Sequence, residues 1–435
     1  TSERMLISIF TPTHDTGFLG EVYDSLREQD DELWEWVIVP NGDVGPISDS
    51  ILADDRVRVC PAPTGMSGIG RLKKYACTQC HGEYFLELDH DDLLTRGALK
   101  TIREWIEKED RPGFLFSDFV NFYEDGQCKV YREKFGWSSY AYPYKGNDYV
   151  AMRAFEVTPS SLSLIFFAPN HVRIWSRKTY EETGGHDESM EVGDDHELLC
   201  RTYLSGAKMV HIPEVLYLYR LQADQKNTFL QQNQAIQTVQ QNTSNQYVYK
   251  LIEEWCRREK LPMIDLGGRL SCPQGFKSVD LTDADFNCDI RKGLPFEDDT
   301  VGCVRAYDFL EHIPHCPDSS CQHGADGSPM CIVGLMNEIY RVLAPGGWLT
   351  SKTPSSDGRG AFQDPTHCSF WNPNSFWYYT RSEQAKYVMG LKCRFQANRI
   401  WQTFPTDWHK QNNIPYVFAD LVCLKGQRQP GLVEI

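Results

Sequence analysis

The chain has 435 residues, too many for one comfortable hydrophobic core, and its 41% hydrophobic and 12% aromatic content describes a folded globular protein of two or three domains. A net charge of −16 argues against generic attraction to nucleic acid or to an anionic membrane, while leaving room for a local basic groove. No run of about 18 apolar residues offers a membrane span, and the 15 cysteines follow no disulfide-framework spacing, so the expectation is a soluble cytoplasmic enzyme with reduced thiols.

Residues 6–11 read as a buried strand running into Pro12-Thr13-His14-Asp15, followed by an amphipathic helix that ends near Gln29. Residues 34–39 form a second strand ending at Pro40-Asn41-Gly42-Asp43. Strand, helix, strand with polar residues at the strand ends predicts a nucleotide-binding α/β sheet whose ligand sits beyond the carboxyl ends of the strands. His14, Asp15 and Asp43 stand where a base and ribose would be met, although each is also an ordinary turn former. After a short strand at 57–59, Gly65-Met66-Ser67-Gly68-Ile69-Gly70 leads into a helix that opens with Arg71, Lys73 and Lys74. Such glycines allow close backbone approach and such cations neutralise phosphate oxygens; a merely charged helix face has the same look. The same helical pattern carries Cys77-Thr78-Gln79-Cys80-His81, which has c-type haem spacing but no export signal before it, and no haem is expected.

Residues 84–88 are a short apolar strand, and Asp89-His90-Asp91-Asp92 follow at once. Asp89 and Asp91 are hard oxygen donors two residues apart, suited to a divalent cation that keeps open positions for a diphosphate; a solvated turn or helix cap would use the same residues. From residue 113 to 175 the chain is unusually aromatic, with most rings expected in the core and a minority lining a site. Pro169-Asn170-His171-Val172-Arg173-Ile174-Trp175 reads as a strand with polar residues at its entry, and Gly193-Asp194-Asp195-His196-Glu197-Leu198-Leu199 opens an amphipathic helix.

The order of these motifs resembles the family 2 glycosyltransferases of the GT-A fold, across about the first 225 residues. The matching stretches are Ser8 to Asp15, Val37 to Asp43, Gly82-Glu83-Tyr84, Leu88 to Asp92, and Gly184-Gly185-His186-Asp187-Glu188 with Gly193 to Arg201, followed by residues 212–220. The resemblance implies a metal-dependent inverting transferase that takes its sugar from a nucleotide-diphosphate donor, a UDP-sugar being favoured. It implies donor contacts from Pro12, Thr13, His14, Asp15, Asn41, Asp43, Arg71, Lys73 and Asp89, and Mn²⁺ or Mg²⁺ on Asp89 and Asp91. Inverting transfer needs a carboxylate to take the acceptor hydroxyl proton, and the resemblance implies Asp195 as that base with Asp194 beside it. Asn41 stands where the family often has an acidic residue, Lys73-Lys74 where it often has Arg-Asn, and Gln222 near a common histidine. A glycan, a small glycoside and a hydroxylated nucleobase remain open as acceptors, the last disfavoured by acidity.

Residues 222–250 are rich in Gln and Asn, with Ile236, Val239, Tyr247, Leu251 and Trp255 at roughly helical spacing. The expected division is a transferase domain over 1–225, a helical connector over 226–261 and a second α/β domain over 262–435. That second domain shows a strand running into Gly267-Gly268, a strand ending at Asp280, Asp289 beyond it, and further alternating β/α pattern to residue 349. Over residues 262–354 this resembles the Rossmann-like class I S-adenosylmethionine-dependent methyltransferases. The resemblance implies cofactor contacts at Asp265, Gly267, Gly268, Asp280 and Asp289. The usual glycine run is shortened and Arg269 adds bulk, so a degenerate domain without methyl transfer is expected. The rivals are a bifunctional glycosyl- and methyltransferase, and a non-catalytic acceptor-binding module. His312, His315, Cys316, Cys321, His323 and Cys331 match no common zinc-finger spacing and are expected to form a surface insertion rather than a zinc site. A polar and aromatic stretch containing Asp364, His367 and Trp371 is expected to be a functional loop over a second site.

Overall fold

The computed structural model describes residues 5–223 and 233–435 and divides into two units, Thr1–Glu133 with Trp137–Leu251 and Lys134–Gly136 with Ile252–Ile435. The expected boundary at 225/226 and the first connector residues lie outside the described residues.

The first unit runs β1 (Ile7–Thr13), α1 (Leu19–Arg27), β2 (Trp34–Pro40), α2 (Asp49–Leu52), β3 (Val57–Val59), α3 (Ile69–Thr78), β4 (Tyr84–Glu87), β5 (Leu93–Leu94) and α4 (Ala98–Lys108). It continues through β6 (Phe114–Tyr123), β7 (Ser139–Tyr144), β8 (Asn147–Met152), α5 (Pro159–Leu164), β9 (Arg173–Ser176), α6 (Arg177–Thr183), α7 (Asp194–Leu204) and β10 (Met209–Leu221). Helix α8 (Asn233–Glu259) follows, its residues up to Leu251 belonging to this unit.

These strands form one mixed sheet in the order β3-β2-β1-β4-β9-β6-β10-β5, with β8 on β6 and β7 on β8. Neighbouring β1, β2, β3 and β4 are parallel, and β9 is antiparallel to both β4 and β6. A parallel strand covered on both faces is mostly apolar rather than alternating: Ile7, Ile9 and Phe10 of β1 and Trp34, Trp36, Val37, Ile38 and Val39 of β2 are buried, and the interrupting Ser8 donates to Glu35 at 2.7 Å. The covering helices bury one stripe each; on α4 it is Leu99, Ile102 and Ile106. Entry into β4 depends on Gly82, where a Cβ would stand 2.6 Å from the Leu6 carbonyl oxygen and from Ser8 Oγ. The aromatic segment is mostly core, as its composition suggested: Phe114, Phe116, Phe119, Phe122 and Trp175 are buried.

The second unit contains β11 (Met263–Leu266), β12 (Phe276–Asp280), β13 (Phe286–Asn287), β14 (Val301–Tyr307), α9 (Ile332–Val342), β15 (Leu343–Pro354), β16 (Phe395–Thr403) and β17 (Tyr416–Cys423). Its seven strands lie in the order β13-β12-β11-β14-β15-β17-β16, parallel from β13 to β15, with β17 antiparallel between β15 and β16. Helix α9 packs Leu335, Met336, Ile339 and Val342 into the core of this unit. The alternation of strands and helices expected here is thinner than its pattern suggested. Residues 267–275 and 281–285 link parallel strands without any helix, being too short to hold a helical crossover.

Among the described residues, no helix is long and apolar enough to cross a membrane.

Candidate active site

Four elements of the first unit deliver charged side chains to one place. α3 supplies Lys73, the end of β4 supplies Glu87 and Asp89, β9 supplies Arg173 with His171 just before it, and the first turn of α7 supplies Asp194 and Asp195. Lys73 Nζ donates to Asp195 Oδ1 at 2.8 Å and lies 3.2 Å from Asp194 Oδ2 and 3.3 Å from Glu87 Oε1. Arg173 Nη1 donates to the other oxygen, Asp195 Oδ2, at 2.8 Å and lies 3.4 Å from Glu87 Oε1. His186 Nε2 is 3.5 Å from Asp195 Oδ1, and His171 Nε2 is 3.6 Å from Asp89 Oδ2.

Gly70 explains how Lys73 reaches Asp195. A Cβ at Gly70 would stand 2.1 Å from the Asp187 carbonyl oxygen, and the Gly70 amide donates to the Met190 carbonyl at 3.2 Å. The start of α3 is thereby set directly on the segment that leads into α7, and Lys73, one turn further on, meets the carboxylates at the start of α7. The glycine-rich turn was read as making room for a diphosphate; Gly70 makes room for the protein's own backbone. Gly193, left-handed at φ +71°, caps α7, and the helix dipole favours negative charge in the first turn where Asp194 and Asp195 sit.

Burial raises the proton affinity of these carboxylates, and the neighbours then sort them. On Asp195, Lys73, Arg173 and His186 outweigh burial and hold the carboxyl well below its ordinary range. Burial and the Asp195 charge push Glu87 up to about 7, and burial raises Asp194, with Asp195 adding to it. Asp89 is pushed up to about 6 by burial, opposed by Lys73 and helped by Asp91. On Lys73, burial works to remove the proton, but Asp194, Asp195, Glu87 and Asp89 keep the ammonium charged. Burial, followed by Arg173, holds His171 neutral.

Asp92 has a different task from its neighbours. It is buried and accepts from Tyr217 Oη at 2.6 Å and from the Arg220 amide at 2.8 Å, tying the acidic turn to β10. Asp89 and Asp91 remain part-exposed at the sheet edge. Gln222 Nε2 donates to Asp91 Oδ2 at 3.0 Å, so the glutamine standing near the family's histidine touches this carboxylate.

Two sets of ligand-type atoms lie within 4.8 Å of one another here, Glu87–Asp89–His171 and Glu87–His186–Asp195. Lys73 and Arg173 already contact Glu87 and Asp195. Asp89 and Asp91, both part-exposed, could hold a hard divalent cation. Lys73 and Arg173 face four carboxylates, Glu87, Asp89, Asp194 and Asp195.

The other expected donor contacts sit at the ends of β1 and β2. Thr13 Oγ1 and His90 Nδ1 are 2.8 Å apart, joining the end of β1 to the acidic turn, and the His14 and His90 rings lie 4.7 Å apart. Pro12 is part-buried at the end of β1, and His14, Asp15 and Asp43 are exposed. The Asn41 amide donates to the Thr13 carbonyl at 2.9 Å, holding the two strand ends together. Arg71 is exposed and faces Glu188 at 4.0 Å, as Lys74 does at 3.3 Å, so Lys73 is the member of this basic trio that enters the cluster. Glu87 and His186 had not been singled out for the site. A glutamate inside the apolar run Tyr84-Phe85-Leu86-Glu87-Leu88 was the available signal for the first.

Residues 8–169 match the family model described as Glycosyl transferase family 2. The matched stretch runs from β1 to the segment before β9 of the first unit. The chain is 25% identical over 224 residues to the O-antigen biosynthesis protein RfbC of Myxococcus xanthus, covering 50% of this chain and 16% of that protein. It is 26% identical over 223 residues to Glycosyltransferase GlyG of Streptococcus pneumoniae serotype 4, covering 49% of this chain and 70% of that one. The chain thus spans only a small part of the Myxococcus relative. Staphylococcus aureus TarS 1-349, solved in complex with UDP-GlcNAc, is similar at 17% identity and a TM-score of 0.42, over 62% of this chain and 77% of TarS 1-349. The family match ends before His171, so Arg173, His186, Asp194 and Asp195 lie beyond it, and Arg173 joins this group to Glu87 of the matched stretch.

In the second unit, Asp265 is buried and accepts from Arg305 Nη1 at 2.9 Å. A Cβ on Gly267 would stand 2.6 Å from the Phe309 ring, Asp280 accepts from the Leu281 amide at 2.7 Å, and Asp289 accepts from Arg291 Nε at 3.2 Å. A Cβ on Gly268 would stand 2.4 Å from Asp265 Oδ2. Trp371 is a core side chain whose Nε1 donates to Ser369 Oγ at 2.9 Å. His367 lies against His312, with Asp364 3.7 Å from His367 Nε2.

Proposed function

We propose that the first unit transfers a sugar from a nucleotide-diphosphate donor, UDP-linked by preference, to an acceptor hydroxyl with inversion, using Asp195 as base. The observation that carries this reading is the placement of Asp195 at the start of α7, held ionised by Lys73 and Arg173. An ionised carboxylate is ready to accept a hydroxyl proton, while the cations limit its proton affinity and keep it fixed in one orientation. The ends of β1 and β2, with Pro12, Thr13, His14, Asp15, Asn41 and Asp43, would hold the nucleoside. Lys73 would meet the negative charge of the diphosphate. Asp89 and Asp91 would hold Mn²⁺ or Mg²⁺, which supplies neutralisation of charge on the departing diphosphate. Among acceptors, a glycan hydroxyl is favoured by the O-antigen role in the name of the Myxococcus relative.

The test is nucleotide-diphosphate release from a panel of nucleotide sugars with Mn²⁺ present, in the full chain. Turnover of at least one donor that is lost in Asp195→Asn supports the reading, and equal rates in the two proteins overturn it.

For the second unit we propose a Rossmann-like, methyltransferase-type sheet that has lost cofactor chemistry. Support comes from the parallel run closed by an antiparallel β17 inserted before β16, and from the partners of Asp265, Asp280 and Asp289, which are all supplied by the chain itself. Calorimetry with S-adenosylmethionine tests it. Micromolar binding that Asp280→Ala weakens would favour the bifunctional alternative.

A further inference from the structure

We propose that Cys316, Cys321, His323 and Cys331 bind one structural Zn²⁺. The four residues come from the long segment between the one-turn helix Leu310–His312 and α9, where residues 313–331 form no helix or strand. Segments of that length without structure of their own need some other constraint to hold a single shape.

The four ligand atoms all lie within 4.8 Å of one another, and the three cysteines are unpaired thiols. His323 Nδ1 is 3.1 Å from Cys331 Sγ and 3.8 Å from Cys316 Sγ. A tetrahedral zinc with Zn–S of about 2.3 Å and Zn–N of about 2.0 Å separates neighbouring S and N ligands by roughly 3.5 Å, inside that span.

The imidazole is oriented for the task. His323 Nε2 lies 2.6 Å from the Met389 carbonyl oxygen, which can only accept, so Nε2 carries the proton and Nδ1 presents its lone pair to the three sulfurs. A ligand histidine fixed through its far nitrogen by a carbonyl is the usual outer support of a zinc site. The surrounding chain is shaped to admit this ring. A Cβ at Gly390 would stand 2.8 Å from His323 Cδ2, and one at Gly334 would stand 2.3 Å from the His323 carbonyl oxygen. His323 itself is left-handed at φ +52°, a conformation a non-glycine residue holds at a cost of about 1 kcal/mol or more, and which its surroundings must therefore enforce.

Cys331 is the N-cap residue of α9 and makes no side-chain capping bond, and its sulfur faces His323 Nδ1 instead. Four protein ligands leave no open position, so the ion would be structural, pinning residues 316–331 to the start of α9. All four ligands lie within residues 316–331 at the spacing of no common finger, and the Met389–Gly390 turn meets His323 from elsewhere in the second unit.

Zinc content of the full chain, purified without chelator and dialysed against buffered zinc, should be about one per chain. Cobalt replacement should give the visible absorption of a tetrahedral thiolate-bound ion. Cys321→Ser and Cys331→Ser should lose the metal, and Cys368→Ser, an exposed thiol outside the set, should keep it. Should those variants fail to fold, mercurial titration of the wild-type protein replaces them. Release of one zinc as three thiols react supports the site. A wild-type chain that holds no zinc, a disulfide between any two of the three cysteines in the freshly isolated protein, or full zinc retention in Cys331→Ser would each overturn it.

Discussion

Lys73 Nζ and Asp195 Oδ1 meet at 2.8 Å across 122 residues of chain, and the second oxygen of the same carboxylate is held by Arg173 at the same distance. The pair sets the charge state of Asp195. Removing the Lys73 cation takes away the largest influence that lowers the Asp195 pKa, so that pKa must rise. In Lys73→Gln the acid limb of kcat/KM is therefore expected to move to higher pH, with at least about a tenfold loss at neutral pH. An unmoved limb with a normal rate would show that the contact only holds structure.

Asp195→Asn keeps the shape of the side chain but cannot accept the proton. Donor binding measured by calorimetry should stay near wild type while transfer falls about a hundredfold or more. Asp194→Asn should cost less, since Asp194 lies against Lys73 rather than between both cations. The reverse order of severity would reassign the base.

Asp91→Asn replaces a hard anionic ligand by a neutral amide. Turnover should fall to the level of chelator-treated wild type with the thermal midpoint nearly unchanged, as a part-exposed substitution predicts. A chelator-resistant, fully active Asp91→Asn would remove the metal from the reading.

Gly70→Ala tests how the site is assembled. The added Cβ would stand 2.1 Å from the Asp187 carbonyl oxygen, so α3 must move away from the segment before α7. Loss of stability by about 1–3 kcal/mol is expected together with loss of transfer, because Lys73 moves with the helix. Urea midpoints and rates measured on one preparation separate the two effects.

His211 offers a pH test of stability away from the acidic cluster. Its Nε2 lies 2.7 Å from Asp118 Oδ1, which also accepts from the Ala154 amide at 2.8 Å. Burial would lower its pKa, but the Asp118 and Glu156 carboxylates raise it from 6.5 to about 9. A raised folded-state value means that the stabilisation is complete below pH 6.5 and fades as pH climbs through 9. Relative to His211→Asn, the wild-type protein should lose on the order of 1–2 kcal/mol across that window in urea unfolding.

The sequence by itself determined the first unit's strands β1 to β4 and the positions of its acidic motifs. Buried parallel strands are mostly apolar and the polar turns follow them directly, so the strand ends at Thr13, Pro40 and Glu87 could be located from local pattern. Which side chains meet was decided by the tertiary structure, because charge pairs form across strands and helices that are distant in sequence. Glu87 looked like part of an apolar strand until Lys73 and Arg173 were brought to it, and Arg71 looked equal to Lys73 until the helix face was known. Trp371 read as part of a polar loop, yet it fills the second core. The missing helices after β11 and β12 escaped the pattern, since short apolar strands look the same whatever connects them. Cys316, Cys321, His323 and Cys331 lie close together in the sequence, yet their spacing does not show that the loop folds back to bring four ligand atoms within 4.8 Å of one another; the packing of residues 316–331 against α9 and the Met389–Gly390 turn decides that.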